Sequence, residues 1–108
     1  MRLKSEIWVK SYLRRCVSQG CMGVVVRHGD DDAGAIYIKV RRADGACVLF
    51  GPAPAGLSDA DFDRRWVALL NGAFVAEADV DGRIEREARI DTDLWLVEIE
   101  QRDGHHFL

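Results

Sequence analysis

Ala35-Ile36-Tyr37-Ile38-Lys39-Val40-Arg41 decides the fold of this chain. Ile36, Ile38 and Val40 alternate with Tyr37, Lys39 and Arg41. Successive side chains of a strand point to opposite faces, so this run reads as a strand with one buried and one wetter face. Two apolar runs flank it. Residues 22–27 carry Val24, Val25 and Val26, whose stiff β-branched side chains suit a pleated surface. Residues 47–50 form the second run, and Gly51-Pro52-Ala53-Pro54 stops it, because proline gives no N–H to a ladder. Between the first two runs, His28-Gly29-Asp30-Asp31-Asp32-Ala33-Gly34 is a loop by its glycines and acids. Between the second and third, Ala43-Asp44-Gly45-Ala46 holds an Asp-Gly hairpin signal, which a type I′ turn satisfies with positive φ at both central residues. The expectation is a three-stranded antiparallel meander on which the rest packs.

Outward from the meander, residues 5–19 read as a helix. Val9, Tyr12, Leu13, Cys16 and Val17 fall on one apolar stripe. Ser5 suits the N-cap, Glu6 the first turn, Arg14 and Arg15 the last, and Gly20 the left-handed position that ends a helix. Trp8 reads as a packing residue at the edge of the core. Downstream, residues 64–70 form a fourth strand candidate with Trp66 and Ala68 on one face, and Asn71-Gly72 is a turn. Residues 77–91 read as a second helix on Val80, Ile84 and Ala88, with Glu85 and Arg89 a favourable i, i+4 pair and Gly82 a weak point. Residues 94–101 form a fifth strand, in which Trp95, Val97 and Ile99 alternate with Leu96, Glu98 and Glu100. The order is α-β-β-β-β-α-β. It implies an α+β domain whose mostly antiparallel sheet, the meander plus two further strands, carries both helices on one face. The last strand follows a helix, so it can pair parallel with an earlier one.

The 108 residues allow a single domain spanning 1–108, large enough to hold a core without metal or disulfides. With 48% hydrophobic and 31% charged residues, the chain is globular and not disordered. There is no apolar run long enough for a membrane span, and charge arrives too early for a secretory signal. Three cysteines, Cys16, Cys21 and Cys47, make no disulfide framework, and reduced thiols in the cytoplasm are expected. A net charge of −3 argues against a dedicated nucleic-acid binder, which needs a basic face. The pairs Arg14-Arg15, Arg41-Arg42 and Arg64-Arg65 read as solvated faces ahead of a shared anion site.

The blocks Arg2-Leu3-Lys4-Ser5-Glu6-Ile7-Trp8-Val9-Lys10, Ala33-Gly34-Ala35-Ile36-Tyr37-Ile38-Lys39-Val40 and Leu49-Phe50-Gly51-Pro52-Ala53-Pro54 resemble a family of short alphaproteobacterial proteins, DUF1491. Glu87-Ala88-Arg89 and Asp93-Leu94-Trp95-Leu96-Val97-Glu98-Ile99-Glu100 look like its C-terminal block. The resemblance covers nearly the whole chain. It implies a bacterial cytosolic protein and supplies no activity, cofactor or site.

Three constellations bear on function. The element order resembles restriction-endonuclease-like cores, which place an acid before the second strand and an acid-x-Lys on it, with a metal bridging phosphate and water. Asp30, Asp31 and Asp32 precede the run ending in Lys39, and Glu6 lies on the first helix. Tyr37 occupies the place of the second acid, and losing that carboxylate removes an oxygen ligand from the metal. An acidic turn and a solvated lysine therefore rank above a catalytic set of Glu6, Asp30, Asp32 and Lys39.

Cys16, Cys21, Cys47, His28, His105 and His106 could hold zinc by residue type, but their spacing lacks the close pairs of structural sites, so no metal is expected. Alternating Asp59, Asp61 and Asp63 resemble the start of a calcium loop without its glycine or closing glutamate. There is no glycine-rich phosphate loop, nucleophile elbow or zinc-protease motif, and no serine stands beside a histidine.

The third constellation needs no missing residue. A sheet edge accepts another strand, and Tyr37, Lys39 and Arg41 are expected to project from the wetter face of the second strand, with Trp66 and Phe74 adding aromatic surface. The expectation is a non-catalytic protein-interaction or self-associating module without cofactor, its partner a protein or a second copy.

Overall fold

A computed structural model of the chain describes residues 3–54 and 64–108. The polar connection after Pro54 and the acids Asp59, Asp61 and Asp63 lie outside the described residues. The elements are α1 (Ser5–Ser18), β1 (Met22–Arg27), β2 (Ile36–Arg41), β3 (Cys47–Pro52), β4 (Trp66–Ala68), α2 (Glu77–Ile90) and β5 (Trp95–Glu100), with a short 3₁₀ turn at Leu70–Gly72. The α+β class and the order α-β-β-β-β-α-β hold as the sequence implies, and the five-stranded sheet is mostly antiparallel.

Strand order is β1-β5-β2-β3-β4. The antiparallel meander therefore runs through β2, β3 and β4, not through β1. β1 pairs antiparallel with β5, and β5 pairs parallel with β2. The physical reason lies in burial. Ile36, Ile38 and Val40 are fully buried and Lys39 opposite them is buried too, so β2 needs a neighbour on each side. β1 is mostly exposed and fits an edge. The tight hairpin joins β2 to β3, whereas the loop of residues 28–34 is long enough to let β5 insert between β1 and β2.

That hairpin differs in detail from a type I′ turn. Gly45 has φ +87 while Asp44 keeps a negative φ. Arg42 N–H donates to the Ala46 carbonyl, and Gly45 N–H donates to the Arg42 carbonyl, which is a three-residue loop closed by a left-handed glycine. The fourth strand is shorter than residues 64–70, because Leu70, Asn71 and Gly72 turn with φ of 53, 62 and 70.

The two helices lie on opposite faces, a correction to the expected single covered face. Val9, Tyr12 and Cys16 of α1 pack with Ile36, Ile38, Val40, Val48, Val97 and Ile99. Val80 and Ile84 of α2 pack with Cys47, Leu49 and Leu96 from the other parity of β3 and β5. Apolar residues at both parities of β3 and β5 demand two cover layers, not one. Ser5 is a second correction. It stands inside α1 after the cap residue Lys4, is buried, and donates its hydroxyl to the Gly34 carbonyl at 2.6 Å. The helix start is instead satisfied by the acidic loop, as Ser5 N–H and Glu6 N–H donate to the carbonyls of Asp32 and Asp31.

Candidate functional site

β2 alternation turns Tyr37, Lys39 and Arg41 toward α2. The surface these residues were expected to form is closed. Lys39 is 3% exposed, and its ammonium donates to Glu77 Oε2 at 2.7 Å and Asp81 Oδ1 at 2.9 Å, with Glu98 Oε1 at 3.3 Å. Burial works against the charge on Lys39. The hydrogen bonds to Glu77 and Asp81 and the Glu98 carboxylate outweigh it and hold the ammonium above its ordinary range. Tyr37 is half-buried with its hydroxyl 3.5 Å from Glu87 Oε2, and Arg41 stands 3.6 Å from Glu100 and 3.8 Å from Glu77. Trp66 and Phe74 add nothing to this face. Both pack with the α1 cluster across the sheet, where Trp66 lies 5.0 Å from Trp8, and Trp8 stacks on Tyr12 at 5.0 Å.

The acids of the nuclease reading are used locally. Asp30 Oδ2 accepts from the N–H groups of Asp32 and Ala33, closing its own turn. Asp32 pairs with Lys4 at 3.6 Å and Glu6 with Lys10 at 3.8 Å. Glu6 meets the acidic loop only through its backbone N–H to the Asp31 carbonyl. Lys39 is on the α2 side of the sheet, so the structure does not bring it to Asp30, Asp32 or Glu6. Among the described residues, no three His, Cys, Asp or Glu side chains gather as a metal group. Cys16 and Cys21 are buried beneath α1, and Cys47 belongs to the α2 cluster across the sheet. Burial, followed by the neighbouring Cys16, pushes the Cys21 thiol up to about 11, which keeps it protonated and a poor ligand. His106 packs edge-on to Phe50 at 4.8 Å, and its carbonyl accepts from the Tyr12 hydroxyl at 2.7 Å.

Among the described residues, β1 is the strand with the most exposed apolar side chains. Val25 faces α1, as does Gly23, where an added Cβ would meet Leu13 at 2.6 Å. Met22 and Val24 therefore face the other way, aligned with Glu100 and Glu98, and α2 sits over β3 and does not reach them. Met22, Val24 and Val26 are 79%, 54% and 54% exposed. A shallow cleft of about 120 Å³ lies among Met22, Val24, Glu98 and Glu100. A bulge between Val25 and Arg27 ends regular pairing with β5. The sequence assigns residues 22–27 to a strand on its β-branched valines without saying which of them stay open. The usable signal was their period-two spacing on a strand that one helix can cover on one face only.

Similarity to known proteins agrees with this fold. The family model described as a protein of unknown function, DUF1491, matches residues 3–108. A crystal structure of a DUF1491 family protein from Caulobacter crescentus is similar at 41% identity and TM-score 0.82, covering 100% of this chain and 95% of that one. A solution structure of an A. tumefaciens protein is similar at 38% identity and TM-score 0.86, covering 100% and 93%. No curated protein matches. By the match over nearly its whole length, this chain belongs to the DUF1491 family.

Proposed function

We propose that this protein is a non-catalytic interaction module that engages a protein partner through the β1 edge, in the reducing interior of a bacterial cell. One observation carries the reading: among the described residues, an edge strand keeps Met22, Val24 and Val26 open to water beside an unpaired row of backbone groups. A partner strand there gains main-chain hydrogen bonds and covers apolar side chains at alternate positions. The free buried thiols Cys16, Cys21 and Cys47 suit a reducing compartment. A net charge of −3 favours protein over nucleic acid.

The test is photo-crosslinking in cells, with a photoreactive residue at Met22 and, as control, at Ile90, which is exposed at the end of α2. Covalent protein adducts from position 22 that exceed those from position 90 are expected. Equal or absent adducts would remove the reading.

A further inference from the structure

We propose that the occupant of the β1 edge is a second copy of this chain, paired antiparallel about a two-fold axis at Val24; the proposal rests on the interaction reading above. Opposed residues of an antiparallel pair share a face, so only registers that match even with even positions join the two apolar strips. Centring on Val24 sets Val24 against Val24 of the second copy and Met22 against Val26. The apolar contact centres on Val24, and the regular ladder covers residues 23–25, with Val26, which lies in the bulge between Val25 and Arg27, flanking it on the Met22 side of the other copy.

Charge complements this register. Glu100 is the β5 neighbour of Met22, and Arg27 follows Val26 on the same face as Leu96. The two-fold axis therefore sets Arg27 of each copy toward Glu100 of the other, about two strand spacings or ~9.6 Å away, a gap that two extended side chains span together, so that Glu100 would be shared between Arg27 of the other copy and its own Arg41 at 3.6 Å. Among the described residues Arg27 makes a 3.5 Å contact with the Thr92 carbonyl and no ion pair. The reverse face agrees. Val17, one helical turn beyond the Leu13 that covers Gly23, is 67% exposed at the same edge of the molecule. Pairing through β1 would therefore bury apolar surface on both sides of the ladder. Each shallow cleft between Met22 and Glu100 would receive the Val26 side chain of the other copy.

Sedimentation of the purified full chain over a wide concentration range tests this, with Val24→Arg and Val24→Cys alongside. Val24 is exposed in the monomer, so both variants keep the fold, which circular dichroism checks. Wild type is expected to form a dimer, and Val24→Arg is expected to weaken it by at least about 100-fold, since two like charges would face each other at the centre. Opposed strand residues lie roughly 4.5–5.5 Å apart at Cα, inside the range a disulfide needs. Val24→Cys should therefore cross-link into a dimer under mild oxidation, while Ile90→Cys does not. A wild type that stays monomeric with no preferential Val24→Cys cross-link overturns the self-pairing. So does a dimer indifferent to Val24→Arg. In either case, adducts from position 22 with a different protein would leave the interaction reading standing, and the absence of such adducts would remove both.

Discussion

Lys39 Nζ lies 2.7 Å from Glu77 Oε2, and this contact ties the central strand to the first turn of α2. Asp81, one turn further along, takes a second hydrogen bond at 2.9 Å. Val80 and Ile84 lay the apolar stripe of the same helix on Cys47, Leu49 and Leu96. The enclosed ammonium is held by these partners, and removing an acid leaves it badly solvated, whereas Glu77 and Asp81 are 41% and 52% exposed and stay hydrated without it.

Lys39→Ala is accordingly expected to cost about 2 kcal/mol in chemical denaturation, less than a fully buried pair because Glu77 and Asp81 stay partly open to water. A loss below about 1 kcal/mol would mean that the helix is held by its apolar stripe alone. The pH dependence follows from the same contacts. Hydrogen bonding to Lys39 holds the Glu77 carboxyl below its ordinary 4.5, so its contribution is present above that value and lost as pH falls through the lower folded value. Lys39 sits above its ordinary 10.5, so its contribution is present below 10.5 and lost only at higher pH. Acid destabilisation beginning near pH 4.5 should shrink in Lys39→Ala, and an unchanged acid limb would contradict the assignment.

Gly29 and Gly82 should respond oppositely to alanine. A Cβ at Gly29 would press on the Asp93 carbonyl, whose backbone is fixed where Asp30 N–H donates to that same oxygen. Gly29→Ala is expected to cost more than about 2 kcal/mol. At Gly82, inside α2, an added Cβ would meet only the flexible end of Arg86 at 3.7 Å. Gly82→Ala should stabilise the protein by about 1 kcal/mol, the helix-propensity difference. Thermal melts of both variants check the pair, and two shifts in the same direction would contradict it.

Tyr12 and His106 fix the end of the chain against α1. Tyr12→Phe removes the 2.7 Å hydrogen bond to the His106 carbonyl and should cost about 1 kcal/mol. Burial, then the adjacent His105, lowers the His106 imidazole below its ordinary 6.5, and its Nδ1 accepts from Leu108 N–H at 2.9 Å, which requires the neutral ring. The folded state then binds fewer protons just beneath pH 6.5, so stability falls as pH drops through that window. An NMR titration should show His106 ionising below 6.5; a value at or above 6.5 would contradict the docked tail.

Much of the fold was legible because it follows from local periodicity. The alternation of residues 36–41, the α1 stripe of Val9, Tyr12 and Cys16, and the Asp44-Gly45 turn each act over a few positions. Strand order was not legible, since nothing in Val24 or Val97 states that one strand lies beside the other. Lys39 shows the same limit. In a strand it reads as a wet-face residue, and the acids that enclose it come from 38 and 42 positions further along the chain. Trp66 was misplaced for the same reason: its face is set by pairing with Pro52, which follows from the β3–β4 register. The exposure of Met22, Val24 and Val26 was not legible, because hydrophobicity alone does not say which apolar residues of a strand stay uncovered.

Amide hydrogen exchange of β1, followed as protein concentration rises at neutral pH, tests the claim that a second copy of this chain pairs at this edge. The outward-pointing amides of residues 22–26 should slow by about tenfold or more, while β4 at the opposite edge keeps its rates. Exchange in β1 that is independent of concentration, or slowing confined to another part of the molecule, would contradict it.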